Sequence, residues 1–141
     1  MSYELEKSIG FKINQTANKI NNKYIQLLQT FNIAPEQRAT LEIIKYQENV
    51  NQTKIANILG KDKTTISRTL STLEKKGFIQ KKQLDKRTNL IKLTDLGDEI
   101  LNKSSNLVKE FRDSLFNNLE KNEITLLLNL LEKVALNVQE Q

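Results

Sequence analysis

The chain has 141 residues, 22 Lys+Arg against 17 Asp+Glu, and a net charge of +5, the size of one ordinary domain. It contains no Cys and no His, which excludes a disulfide framework, a thiolate nucleophile and the usual zinc sites, and removes the side chain best suited to proton transfer near neutral pH. One Pro and four Gly leave little of the punctuation that tight β-turns need, so helices should dominate. With 38% hydrophobic residues, a lone chain can build only a thin core. No run approaches the ~20 apolar residues of a membrane span, and the N-terminus lacks the basic start and apolar stretch of a signal peptide, so a cytoplasmic protein without membrane contact is expected.

Taken in order, a first helix is expected over residues 3–31, where Ile9, Ile13, Ala17, Ile20, Tyr24, Leu28 and Phe31 recur every three or four positions, one apolar stripe. Pro35 suits the first turn of a second helix, 35–46, with Leu41 and Ile44 inward. Asn51 can cap a short helix, 52–59, that Gly60 ends; Asp62 can cap a helix at 63–76 that Gly77 ends. The period then changes: 78–82 and 89–93 read as two short strands around a polar tip, a hairpin. Thr94 should cap a long helix, 95–119, with Asp95, Asp98 and Glu99 favouring its dipole and Leu96, Ile100, Leu107, Phe111 and Leu115 as its stripe. In the last helix, 121–138, Leu126, Leu127, Leu128, Leu130 and Leu131 surround most of the circumference, too wide for one core. Burial on two sides, against its own domain and against a partner subunit, is the simplest account, with Ile124, Leu127, Leu128, Leu131 and Val134 as the subunit contacts.

The charge is unevenly placed. Residues 51–93 carry 11 Lys/Arg against 3 Asp/Glu, a local +8, whereas 1–50 stand at +1 and 94–141 at −4. A concentrated basic block fits a polyanion-binding surface as well as it fits solvated lysines. The block also holds a helix-turn-helix pattern: Ala56 is the small residue where two helices meet, Gly60 the turn four residues later, and Ile55, Leu59 and Ile66 the apolar contacts. Its second helix would present Lys63, Thr64, Thr65, Ser67 and Arg68 outward, short hydroxyls that allow close approach to base edges beside cations that reach guanine or phosphate. Lys61 and Thr69 depart from the pattern, standing where such motifs are often apolar. The basic hairpin directly after this helix makes a winged helix-turn-helix, its tip formed by Asp85, Lys86, Arg87 and Thr88. There Arg87 can enter the electronegative minor groove, and Asp85 pairs with a nearby arginine such as Arg87 to hold the wing's shape. Lys81 and Lys82 are explained equally as charges protecting an edge strand.

The run DKRTNLIKLTDLG, Asp85 to Gly97, resembles the wing signature of the MarR (multiple-antibiotic-resistance regulator) family, and TTISRTLSTLEKKGFI, Thr64 to Ile79, looks like that family's recognition helix. The order of elements matches over nearly the whole chain. The resemblance implies a fold that is mainly α with a small β-hairpin wing: dimerisation helices at 1–34 and 119–141, a winged lobe at 35–94, and a connecting helix at 95–118. It implies a homodimer on a pseudo-palindromic double-stranded DNA site, a transcription regulator more often repressor than activator. With no Cys or His, no Gly-rich phosphate loop and no paired carboxylates in an apolar setting, no cofactor, no metal and no catalysis are expected. The resemblance also implies a crevice for a small phenolic or anionic ligand, for which Ala17, Tyr24, Phe31, Tyr46 and Phe111 are candidate lining residues, each equally explained as core. A winged module for architecture or protein interaction, without sequence-specific DNA binding, is the alternative from a different class.

Overall fold

The computed structural model describes residues 3–86 and 89–139. Helices α1 (Tyr3–Lys7), α2 (Ile9–Leu28), α3 (Pro35–Tyr46), α4 (Gln52–Leu59) and α5 (Lys63–Lys75) precede a hairpin of β1 (Ile79–Gln83) and β2 (Asn89–Leu93); α6 (Asp95–Ser114) and α7 (Lys121–Leu136) follow. The chain forms two compact units, residues 1–106 and 107–141, with α6 running from one into the other.

The expected single helix at 3–31 is broken. Ser8 leaves helical geometry (ψ 120°) and its hydroxyl accepts from the Phe11 N–H at 3.3 Å, which starts α2 afresh; serine is among the strongest N-caps. At its other end α2 tightens into a 3-10 turn, Gln29–Phe31, that stops at Asn32 with φ 53°, a left-handed position asparagine tolerates. Pro35 opens α3, where its missing N–H costs nothing, while the Ala34 N–H finds the Gln37 side chain at 3.1 Å.

The first unit's core is built where α3 meets α2, α5 and β2, and where α4 packs on α5. Leu28, Leu41, Ile55, Ile66, Leu70 and Leu73 are fully buried there. Helix α5 ends one residue earlier than expected: Gly77 takes φ 81°, Phe78 N–H bonds the Leu73 carbonyl and Gly77 N–H that of Glu74, both at 3.0 Å. This 6→1 and 5→2 pair is a Schellman stop. It engages Phe78 in the cap, so β1 begins at Ile79 rather than Phe78. The strands pair antiparallel with Ile79 opposite Leu93 and Lys81 opposite Ile91. Ile79 and Ile91 are buried, and Ile91 N–H reaches the Val50 carbonyl at 2.9 Å, holding β2 to the chain before α4.

The buried stripe of α6 agrees with the expected one at Phe111 and differs elsewhere. Leu101, Ser104 and Val108 are buried with it, Ile100 and Leu107 are half-buried, and Leu96 and Leu115 are exposed. Ser104 is tolerated because Arg38 of α3, itself 4% exposed, donates from Nε to its hydroxyl at 2.9 Å. The same guanidinium bonds Glu42 at 2.7 Å and the Leu101 carbonyl at 3.3 Å, so the buried charge is paired and each of its three nitrogens donates. Ser104 Oγ donates its own proton to the Ile100 carbonyl at 2.8 Å. Nearer the start of α6, Lys45 and Asp98 pair at 2.5 Å, and the carboxylate's hydrogen bond and charge raise the lysine's pKa.

In the second unit α6 ends at Ser114 rather than 119. The Ser114 hydroxyl turns back to the Phe111 carbonyl at 2.6 Å, and a run of turns closes at Asn118 with φ 70°. No residue of α7 is buried. The burial expected on its own-domain side is partial in the single chain: Ile124 and Val134 are half-buried, and Leu126, Leu127, Leu128, Leu130, Leu131 and Leu136 each stand more than 40% exposed.

Candidate nucleic-acid interface

Helices α4 and α5 form a helix-turn-helix. Asn51 caps α4 by accepting from the Lys54 N–H at 2.8 Å, and Gly60 (φ 67°) turns the chain at its end. Nothing lies within 4 Å of where a Gly60 Cβ would sit, so it is the left-handed backbone, not space, that favours glycine. Asp62 then caps α5, accepting from the Thr65 N–H at 2.7 Å. That backbone bond, the Thr65 hydroxyl and the charge of Arg68 hold the Asp62 carboxyl below its ordinary pKa. The Gln52 side chain donates to the Lys63 carbonyl at 3.0 Å, tying the start of α4 to the start of α5.

Of the five recognition-helix candidates, Lys63, Thr64, Ser67 and Arg68 are exposed on the first two turns of α5. Thr65 is half-buried, and both its N–H and its hydroxyl engage Asp62, so it serves the cap first. On the hairpin, Lys81, Lys82, Asp85 and Lys86 are exposed. Arg87 and Thr88, and with them the expected Asp85–Arg87 pair, lie outside the described residues. Between the start of α4 and the hairpin lies a cavity of about 280 Å³ lined by Asn51, Gln52, Thr53, Leu70, Lys81, Asn89 and Ile91, a concave site with polar walls and an apolar floor.

The other candidates differ in burial. Ala17 and Tyr46 are exposed, Tyr24 and Phe31 half-buried, and Phe111 buried in the second unit. Ile124 and Val134 are half-buried on α7, and Leu127, Leu128 and Leu131 exposed. Three residues that tie elements of the lobe together escape sequence reasoning: Glu36 and Gln52 beside the helix-turn-helix and Arg38 beneath α6, whose partners lie 33, 11 and 66 positions away. Arg38 alone left a trace, a charge three residues before Leu41 on the apolar side of its helix. No group of three or more His, Cys, Asp or Glu that could hold a metal occurs among the described residues, nor a helix long and apolar enough to cross a membrane.

The base of the wing is knotted to α6. Thr94 donates its hydroxyl to the Gly77 carbonyl at 2.5 Å and its N–H to the Phe78 carbonyl at 3.0 Å, while the same hydroxyl accepts from the Gly97 N–H at 3.1 Å. Gly97 lies so close to Phe78 that a Cβ there would overlap the Phe78 carbonyl oxygen. The Thr-x-x-Gly spacing after the second strand is thus a steric requirement of this corner.

Comparison with known proteins agrees with this geometry. The MarR family model matches residues 33–88. The HTH-type transcriptional regulator YdcH of Bacillus subtilis (strain 168) is 31% identical over 115 residues, covering 77% of this chain and 78% of that protein. A MarR/EmrR family transcriptional regulator from Acinetobacter sp. ADP1 superposes with a TM-score of 0.89 at 31% identity, over 95% of this chain and 96% of its own. A cysteine-to-serine mutant of MarR from E. coli, solved in complex with operator DNA, superposes with a TM-score of 0.84 at 26% identity, over 95% and 99% of the two chains.

Proposed function

The chain belongs to the MarR family, and from that footing we propose that it is a transcription regulator that reads double-stranded DNA as a homodimer and represses by occupying promoters. The observation that carries the reading is α5. Its first two turns expose Lys63, Thr64, Ser67 and Arg68 side by side, ahead of a hairpin carrying Lys81, Lys82 and Lys86, within the segment of local charge +8. The helix enters the major groove, where Arg68 can bond guanine bidentately and Ser67 and Thr64 can meet base edges at short range. The hairpin lysines and Arg87 meet the backbone and the minor groove beside it. A phosphate suits the cavity at the start of α4, where Asn51, Gln52, Thr53 and Lys81 converge and helix dipole and lysine have the same sign.

Dimerisation is supported by α7. Six leucines each more than 40% exposed on one helix exceed the scattered apolar residues of an ordinary surface; pairing with a second copy covers them. Two lobes so joined would meet successive major grooves about 34–36 Å apart. Incubating the purified chain with genomic fragments and excess competitor DNA tests the reading. A few discrete sequences should be retained, with a log–log salt slope of about −0.9 per phosphate contacted. Retention without sequence preference would instead indicate an architectural module.

A further inference from the structure

Two residues break the usual helix-turn-helix pattern, Lys61 in the turn and Thr69 on α5, and both turn out to face one carboxylate. Thr69 Oγ1 donates to Glu36 Oε1 at 2.9 Å, and Lys61 Nζ lies 4.0 Å from Glu36 Oε2. Glu36 belongs to the first turn of α3, and its side chain is 31% exposed. Lys61 is half exposed, and at that distance its ion pair contributes little. The anchor is the threonine. Its hydroxyl also lies 3.1 Å from the Thr65 carbonyl, but its single proton is held more strongly by a charged acceptor. The next residue of α3, Gln37, accepts from Lys76 Nζ at 3.1 Å, and Lys76 donates to the Asn32 carbonyl at 2.9 Å as well. Thr69 and Lys76 are seven positions apart, Thr69 within the recognition helix and Lys76 at its C-cap, about two turns on along the same side.

We propose that Glu36 is a positioning residue for sequence readout: through Thr69 it sets the rotation of α5 about its own axis and thereby decides which base edges Ser67 and Arg68 can meet. The proposal rests on the DNA-binding reading above. A rotation of about 20° carries a side-chain tip at the helix's outer radius of about 5–6 Å through about 2 Å. That is more than a base-edge hydrogen bond tolerates. The apolar contacts of Ile66, Leu70 and Leu73 are buried but non-directional, so they seat the helix without fixing its angle closely. A hydrogen bond to a carboxylate on a neighbouring helix is directional and fixes it. Polar residues at Lys61 and Thr69 are then a matched set with Glu36, not defects in the motif.

The test uses the full-length chain and duplex DNA. Fragments are first selected with the wild type; if it retains none, the DNA-binding reading fails and this proposal falls with it. Glu36→Ala, Thr69→Val and the double variant are then titrated with the selected fragment and with a shuffled duplex of equal length. Each single variant should narrow the ratio of the two affinities about tenfold, the scale of a lost hydrogen bond to a charged group, with the double variant no worse than either single. Affinity for the shuffled duplex and the salt slope should hold for Thr69→Val, because no phosphate contact is lost, and affinity should rise slightly for Glu36→Ala, which removes a negative charge. Thr69→Ser keeps the hydroxyl and should keep the ratio. The proposal is overturned if the single variants retain the wild-type ratio while only their melting temperature falls. Equal loss on both duplexes, or a double variant that loses the product of the two single effects, overturns it too.

Discussion

Replacing Gly97 with alanine sets two forces against each other, and the sign of the outcome identifies the winner. Gly97 lies in the first turn of α6, where helix propensity alone would make alanine about 1 kcal/mol better. The structure argues the reverse. The new Cβ would overlap the Phe78 carbonyl oxygen and lie 3.0 Å from the carbonyl carbon and 3.3 Å from Cα. These are backbone atoms, so no rotamer change relieves the clash. The Phe78 carbonyl is also held in place by the Thr94 N–H at 3.0 Å. Forcing the corner open costs about 1–3 kcal/mol of strain and about 1 kcal/mol for the weakened hydrogen bond. Setting the propensity gain against these leaves a net loss of about 1–3 kcal/mol. For a chain of this size that lowers Tm by about 3–12 °C. Thermal unfolding followed by circular dichroism reads the change; protein concentration is held fixed because association feeds into Tm. Gly10→Ala is the control: a Cβ there meets only Ser8 Oγ, at 3.8 Å, so its Tm should hold or rise. A Gly97→Ala protein that melts at or above the wild-type temperature would refute the steric reasoning.

Ser104→Ala leaves the buried Arg38 Nε without its partner and should cost about 2–3 kcal/mol in chemical denaturation; a loss below about 0.5 kcal/mol would mean that water or another acceptor replaces the hydroxyl. The depressed pKa of Asp62 gives the α5 cap a pH dependence. Its contribution is complete above the unfolded carboxyl's value, about 3.9, and is lost as pH falls through the lower folded-state value. Amide exchange at Thr65 should therefore accelerate in acid for the wild type, whereas Asp62→Asn, which caps without titrating, should show no such step. Arg68→Ala should cost about 1–3 kcal/mol at one base pair per half-site, and a uniform loss across all sequences would assign it to phosphate instead. Leu127→Glu with Leu131→Glu should give monomers or unfolded chains by light scattering; a dimer that survives both charges would remove α7 from the subunit contact.

What the sequence revealed follows how far apart the interacting residues lie. Helices α3 and α4 begin and end where Pro35, Asn51 and Gly60 put them, because a cap or a turn acts on backbone within four residues. The break at Ser8 is hidden for a different reason: the apolar stripe begins only at Ile9, so nothing in the periodicity marks where the short helix before it ends. The stripe of α6 is legible at Phe111 but not at Ser104, which looks polar and therefore external until Arg38, 66 positions earlier, supplies its donor. The same limit applies at the interface. The outward polar face of α5 could be inferred from Thr64, Ser67 and Arg68, whereas Lys61 and Thr69 looked like flaws until Glu36 appeared beside them. The excess of leucine on α7 is visible at once, but not that the single chain leaves every one of its residues short of full burial.

The hairpin has a second life as a hazard. In the two-stranded sheet β2 leans on Val50, while β1 presents its far side with Gln80, Lys81, Lys82 and Gln83 all exposed. An uncovered strand margin is a template on which another polypeptide can stack, and lysines guard it by mutual repulsion. The cations we propose meet nucleic acid should therefore also keep crowded copies from zipping together at their wings. Variants that exchange them for valine or isoleucine to weaken DNA affinity would strip away that guard, and precipitation could then be mistaken for lost recognition.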